Sequence, residues 1–271
     1  MAENVQALLG DNAISSQQAA QRLATPCRDA FEKDGDLSKL EQELDGLWSA
    51  ILTAAEQTPH DRQDKLVDIM RAIKHMAQPV NETKKLVIWD QEQRWEQLPM
   101  FGAKAREQLD IGKARNLLGY GNCRVLTPEQ AQERSDQAFV NINGFFARIT
   151  AADVADLSLF AIWIIREALE DPTEEEIARK TPPKLLKAAA VWLIYAGDAL
   201  AEASKAAKQF DGKIAKPGAS LSTFKDEAGW RGFCEDRWKV WQSRLKSIEE
   251  PQVSSEVRSL VDKALSNSSN L

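Results

Sequence analysis

The stretch DLSLFAIWIIREALE, Asp156 to Glu170, decides the fold. Between Leu157 and Leu169 only Arg166 and Glu167 carry charge, so the segment is apolar on nearly every face. That pattern predicts a helix enclosed by other helices. Its thirteen residues span roughly 20 Å at 1.5 Å per residue, too short for a bilayer that needs about 20 apolar residues. A buried central rod is the expectation, with Pro172 ending it.

Working outward, Thr173 and Glu176 have capping-box spacing, and Thr181-Pro182-Pro183 opens a second core helix, PKLLKAAAVWLIYAGDALAEA (Pro183 to Ala203). Upstream, Thr127-Pro128-Glu129-Gln130 is another start signature, for a helix carrying Phe139, Ile142, Phe145, Phe146 and Ile149. A modest helix from about Ala103 to Leu118 precedes it, stopped by Gly119 to Asn122. Nearer the N-terminus, Leu37, Leu40, Leu44, Leu47, Trp48, Ile51 and Ala55 recur at three and four. Ser38 and Glu41 read as that helix's capping box. Thr58-Pro59-His60-Asp61 reads as a fresh start, so residues 38 to 77 form a helical hairpin. Pro79 to Pro99 has poor periodicity and is predicted as a connection pinned by Trp89 and Trp95, with room for a short helix near Gln91 to Gln97. Asp211 to Gly232 reads as loop. Two last amphipathic helices carry Trp238, Trp241 and Leu245, then Val257, Leu260, Val261 and Leu265.

No segment alternates as a convincing strand and no period repeats. The sequence therefore predicts an all-α fold: one globular domain of about eight to ten helices over residues 1–271, packed from about 36 to 265. A loosely packed N-terminal arm (1–35) and a disordered tail (266–271) complete it.

Apolar residues at 43 % can fill a core of this size, while a net charge of −6 lacks the basic stripe that nucleic acid demands. Arg179, Lys180, Lys184 and Lys187 cluster, but Glu174 to Glu176 sit beside them and make that face a solvated one. Three cysteines, Cys27, Cys123 and Cys234, are far apart and lack CxxC spacing, and no secretory leader is visible. Free thiols in a cytoplasmic or nuclear compartment are expected, with no membrane partner.

Six landmarks in order carry a resemblance: LWSAILTAAEQTPHDRQDKLVDIMRAIK (Leu47 to Lys74), QLPMFG (Gln97 to Gly102), NINGFFARIT (Asn141 to Thr150), FAIWIIREALE (Phe160 to Glu170), AVWLIYAG (Ala190 to Gly197) and RWKVWQSRL (Arg237 to Leu245). Together they resemble a large family of fungal proteins known as a domain of unknown function, number 3632. The resemblance covers most of the chain and implies an all-helical, fungal, intracellular protein. It implies no active site.

The residues themselves carry no complete catalytic set. His60 and His75 are fifteen residues apart, roughly 22 Å along one helix, which excludes a shared metal there. Glu170 to Glu175 is the one acidic run comparable to the metal-binding helices of terpenoid cyclases, and Pro172 breaks the helix that would present it. Neither a metal nor another cofactor is expected. The polar residues within apolar helices remain. If the helix ending at Ile149 and the rod are antiparallel neighbours, Asn141 falls level with Ile165 and Arg166. The same reasoning sets Glu167 opposite Leu186 and Lys187. Asn141, Arg166, Glu167, Lys187, Trp192 and Tyr195 then either lock helix register or line a polar-bottomed ligand pocket. The leading functional expectation is a protein-interaction or regulatory module. The alternative is a cofactor-free isomerase or cyclase acting on an apolar metabolite between helices.

Overall fold

Asp36, rather than Ser38, opens the long amphipathic helix near the N-terminus: its side chain accepts the Lys39 amide at 3.0 Å, and α3 runs Leu37–Gln57. In the computed structural model, which describes residues 5–118, 128–221, 230–248 and 252–267, this helix is one of eleven α-helices among the described residues. The chain is all-α, with a single two-stranded hairpin among the described residues. It forms two compact units, Met1–Phe145 and Phe146–Leu271.

In the first unit α1 (Val5–Gly10) and α2 (Ser16–Glu32) precede α3, and α4 (Asp64–Lys74) follows. The N-terminal segment is not a loose arm. A capping box between Ser15 and Gln18 starts α2, and Ala19, Ala20, Leu23, Ala24, Cys27, Ala30 and Phe31 are buried where it packs on α3 and α4. Alanine supplies much of that face, so it contributes little hydrophobicity per residue while allowing close helix approach. Pro26 lies inside α2 on its exposed side, where water can satisfy the carbonyl its missing N–H leaves unbonded. Burial pushes the Cys27 thiol up to about 12.

α4 starts later than Thr58-Pro59 suggests. The Thr58 hydroxyl donates back to Ala54 O at 2.8 Å and closes α3, leaving residues 59–63 as a turn. Gln63, fully buried, donates its side-chain amide to Ala55 O, Thr58 O and Asn141 O, each at 3.0 Å. Asn141 in turn donates to Glu56 O and accepts the His60 amide. These two amides bind the α3–α4 turn to α6 (Pro128–Ala151). β1 (Val87–Ile88) and β2 (Gln91–Glu92) form the hairpin, a 3-10 turn follows at Trp95–Gln97, and α5 (Phe101–Leu118) packs on α3. The short helix expected near Gln91 is thus a strand and a 3-10 turn. The helix stop at Gly119 to Asn122, Thr127 and Cys123 lie outside the described residues.

In the second unit the rod is α7 (Ser158–Ile165), continued by a π turn over Arg166–Glu170 whose Asp171 amide reaches back five residues to Arg166 O at 2.8 Å. It is buried except along Leu159, Trp163, Arg166 and Glu167. The Phe146 and Phe160 rings meet edge-on at 5.6 Å. A short α8 (Ile177–Lys180) follows the Thr173–Glu176 capping box. α9 (Pro183–Lys205) is the helix on which α7, α10 (Glu235–Lys246) and α11 (Ser255–Asn267) pack. Residues 268–271 of the expected tail lie outside the described residues. Cys27 and Cys234 are free. No helix among the described residues is long and apolar enough to cross a membrane.

Two glycines separate packing from propensity. A Cβ on Gly46, inside α3, would meet nothing within 4 Å, whereas one on Gly144 would lie 2.6 Å from His60 Cβ. Gly46→Ala should therefore stabilise the protein by about 1 kcal/mol, the helix-propensity difference. Gly144→Ala should destabilise it by about 1–3 kcal/mol through overpacking. Urea unfolding of both variants checks the contrast.

Candidate functional site

Alternation places Leu86 and Ile88 on the buried side of the hairpin, leaving its tip outside. Val87 pairs with Glu92 and Ile88 with Gln91, so Trp89 and Asp90 are the two central residues of a tight turn. Both have positive φ, 49° and 61°, the signature of the mirror-image turns that suit hairpin twist. Asn-Gly is the usual occupant. Aspartate tolerates that region, but a bulky indole there is an outlier, at a cost of about 1–2 kcal/mol. Trp89 is 59 % exposed, so burial does not offset the strain. The base of the hairpin is firm. Lys85 pairs with Glu92 at 2.8 Å, the Gln93 amide donates to Leu86 O, and Trp95 is buried with its indole N–H donating to Ile73 O at 2.8 Å. Trp95 pins the segment; Trp89 is displayed by it.

The second constellation is internal to the second unit. Glu170 and Arg237 are both 0 % exposed and form a two-pronged ion pair, Nε to Oε1 at 2.7 Å and Nη2 to Oε2 at 3.0 Å. The Trp241 indole donates to Oε1 at 2.5 Å and the Gly218 amide to Oε2 at 2.8 Å. Four donors occupy the carboxylate, so no lone pair is left for a substrate. The remaining Arg237 N–H groups donate to the carbonyls of Ala215, Lys216, Trp230 and Gly232, which lie in two separate stretches, 215–216 and 230–232. Arg244 donates to Leu169 O, Pro172 O and Ser220 Oγ, and burial pulls its pKa below the ordinary value despite Glu170 nearby. The loop's base is pinched by a bridge between Gln209 and Gly232, where a Cβ on Gly232 would fall 2.0 Å from Lys208 O. This cluster is structural: it holds the loop that carries Ile214.

Nearby, Lys208 pairs with Asp156 at 2.5 Å, and Ser158 donates to the same carboxylate through its hydroxyl and its amide. Burial works against the Asp156 carboxylate, but Lys208 and Ser158 outweigh it and hold its pKa below the usual value. Among the described residues no group of three or more His, Cys, Asp or Glu could hold a metal ion.

The residues singled out from sequence occupy separate surroundings. Asn141 is engaged with the α3–α4 turn of its own unit. Arg166 donates to Ile214 O and Lys216 O at 3.4 Å, and Glu167 is exposed. Lys187 pairs with Glu256 of α11 at 2.5 Å. Trp192 is fully buried, and Tyr195 lies under the Arg148 guanidinium, 3.9 Å from its ring centroid. Two open grooves run elsewhere, one of about 550 Å³ along Gln21, Arg28 and His75, the other of about 420 Å³ along α11. Neither touches these six residues. The sequence reading missed Glu170, Arg237 and Trp89 as special positions. The one signal for Trp89 was a tryptophan beside aspartate directly after the short apolar run Leu86 to Ile88.

These features define an all-α protein with one loop locked by a buried ion pair and one hairpin displaying an aromatic tip. The chain belongs to the family described as protein of unknown function (DUF3632), whose model matches residues 48–245. No curated protein matches it.

Two outcomes follow from the geometry. Glu170→Ala leaves the Arg237 guanidinium buried without its counter-charge and should cost about 3–5 kcal/mol, whereas Glu170→Gln, which keeps the shape and an acceptor oxygen for the donors around it, should cost less. Chemical denaturation of the three proteins measures the ordering. Because the folded Asp156 carboxylate titrates below its unfolded counterpart, its contribution is present above the ordinary carboxylate pKa and is lost as pH falls through the depressed one. Lys208→Met should flatten that acid limb in a thermal melt series.

Proposed function

We propose that this protein is an interaction module that engages a protein partner through Trp89 at the hairpin tip. The observation that carries the reading is a bulky side chain kept exposed on a left-handed backbone. Neither propensity nor packing favours tryptophan there, and strain of this kind concentrates at functional positions. Tryptophan is also the residue most enriched among binding hot spots. The firm base below it means that little ordering entropy is lost when the tip docks.

The expected behaviour of variants separates display from stability. Replacing Trp89-Asp90 by Asn-Gly should raise unfolding stability by about 1–2 kcal/mol, since it removes the strained positions. A photo-crosslinking amino acid at the exposed neighbour Gln91, which leaves Trp89 in place, should capture a protein in cells that the same group at exposed Lys263 of α11 does not. The purified partner should bind Trp89→Ala about thirtyfold more weakly, the ~2 kcal/mol of a hot-spot residue. Identical adducts from positions 91 and 263, or unchanged affinity in Trp89→Ala, overturn the reading.

A further inference from the structure

The charges around the hairpin are largely consumed within it. Lys85 is neutralised by Glu92 at 2.8 Å, Arg94 by Glu96 at 3.2 Å, and Lys84 is tied to Gly35 O. Asp90 is different: exposed and adjacent to Trp89 in the same turn, it has no hydrogen bond or ion pair among the described residues. Both central side chains of the turn are exposed. The tip therefore offers one open indole and one unneutralised carboxylate within a two-residue span, on a chain of net charge −6.

That pairing selects a chemistry. An indole face attracts a cation through its quadrupole, more strongly than phenylalanine or tyrosine rings do, and arginine is the side chain most often found over it. A neighbouring carboxylate accepts the guanidinium N–H groups while the ring covers its flat face. An anionic membrane or a nucleic acid would be repelled by the same carboxylate, and a purely apolar partner would leave it desolvated and unpaired. We infer that Trp89 and Asp90 form a recognition site for an arginine side chain presented by the protein partner. This rests on the interaction-module reading and adds the partner's chemistry to it.

The test uses the full chain and two peptide probes, Ac-Gly-Arg-Gly-Arg-Gly-NH2 and the same peptide with citrulline, which keeps the planar head and removes its charge. The Trp89 indole N–H signal, identified as the one missing from Trp89→Phe, is followed by NMR. It should shift with the arginine peptide and not with the citrulline peptide. Asp90→Asn should weaken the arginine peptide's binding about two- to fivefold, as expected for ~0.5–1 kcal/mol at an exposed site. Equal shifts with both peptides, or shifts confined to other indoles, overturn the arginine site. A partner cross-linked at position 91 that binds Asp90→Asn as tightly as wild type also removes this inference while leaving the interaction module intact. Absence of any specific adduct at position 91 removes both.

Discussion

A carboxylate taken fully out of water must find a donor for every lone pair, and in the second unit Glu170 finds four. Desolvating such a pair costs several kcal/mol per ion, which the ion pair recovers only with near-complete hydrogen bonding. The local architecture answers that demand. The π turn brings Glu170 inward; in an unbroken helix it would fall three and four residues after Glu167 and Arg166, on the open side of the rod. Gly218 lets the loop backbone touch it, since a Cβ there would lie 2.5 Å from the Glu170 backbone. Arg237 spends its other N–H groups on four loop carbonyls. One ion pair thus ties residues 215–218 and 230–232 to the end of the rod.

The first unit solves a related problem with uncharged groups. Gln63 and Asn141 bind three backbone carbonyls and one further carbonyl respectively, which lets a turn without helical hydrogen bonds sit against a packed helix. Amides bring no Born cost, so no second charge had to be recruited. The hairpin is attached by the same economy, through Gln78, Trp95 and the carbonyl of Ile73.

The helices were legible from their apolar patterns: α3 and α4 follow the three-and-four spacing, α7 and the middle of α9 are near-continuous apolar runs, and the Thr173–Glu176 box lies where its residue types placed it. Boundaries slipped where side chains served a different neighbour from the one expected, as Thr58 does in closing α3. The alanine face of α2 was misread because its burial comes from small residues that score as weakly hydrophobic. The π turn has no local signature, so Glu170 looked like the start of an exposed acidic run. Trp89 looked like a pin because a large aromatic in a loop is usually buried. Only the paired positive φ values distinguish display from anchoring.

The alanine face of α2 also shelters Cys27, whose thiol is fully buried and resists ionisation. A thiolate is the reactive form, so this sulfur is inert while α2 stays docked. Its rate of modification by a small reagent then counts openings of the first unit rather than collisions with the native surface. The residue is a built-in reporter of local unfolding, set in a helix whose docking depends on close approach more than on large side chains.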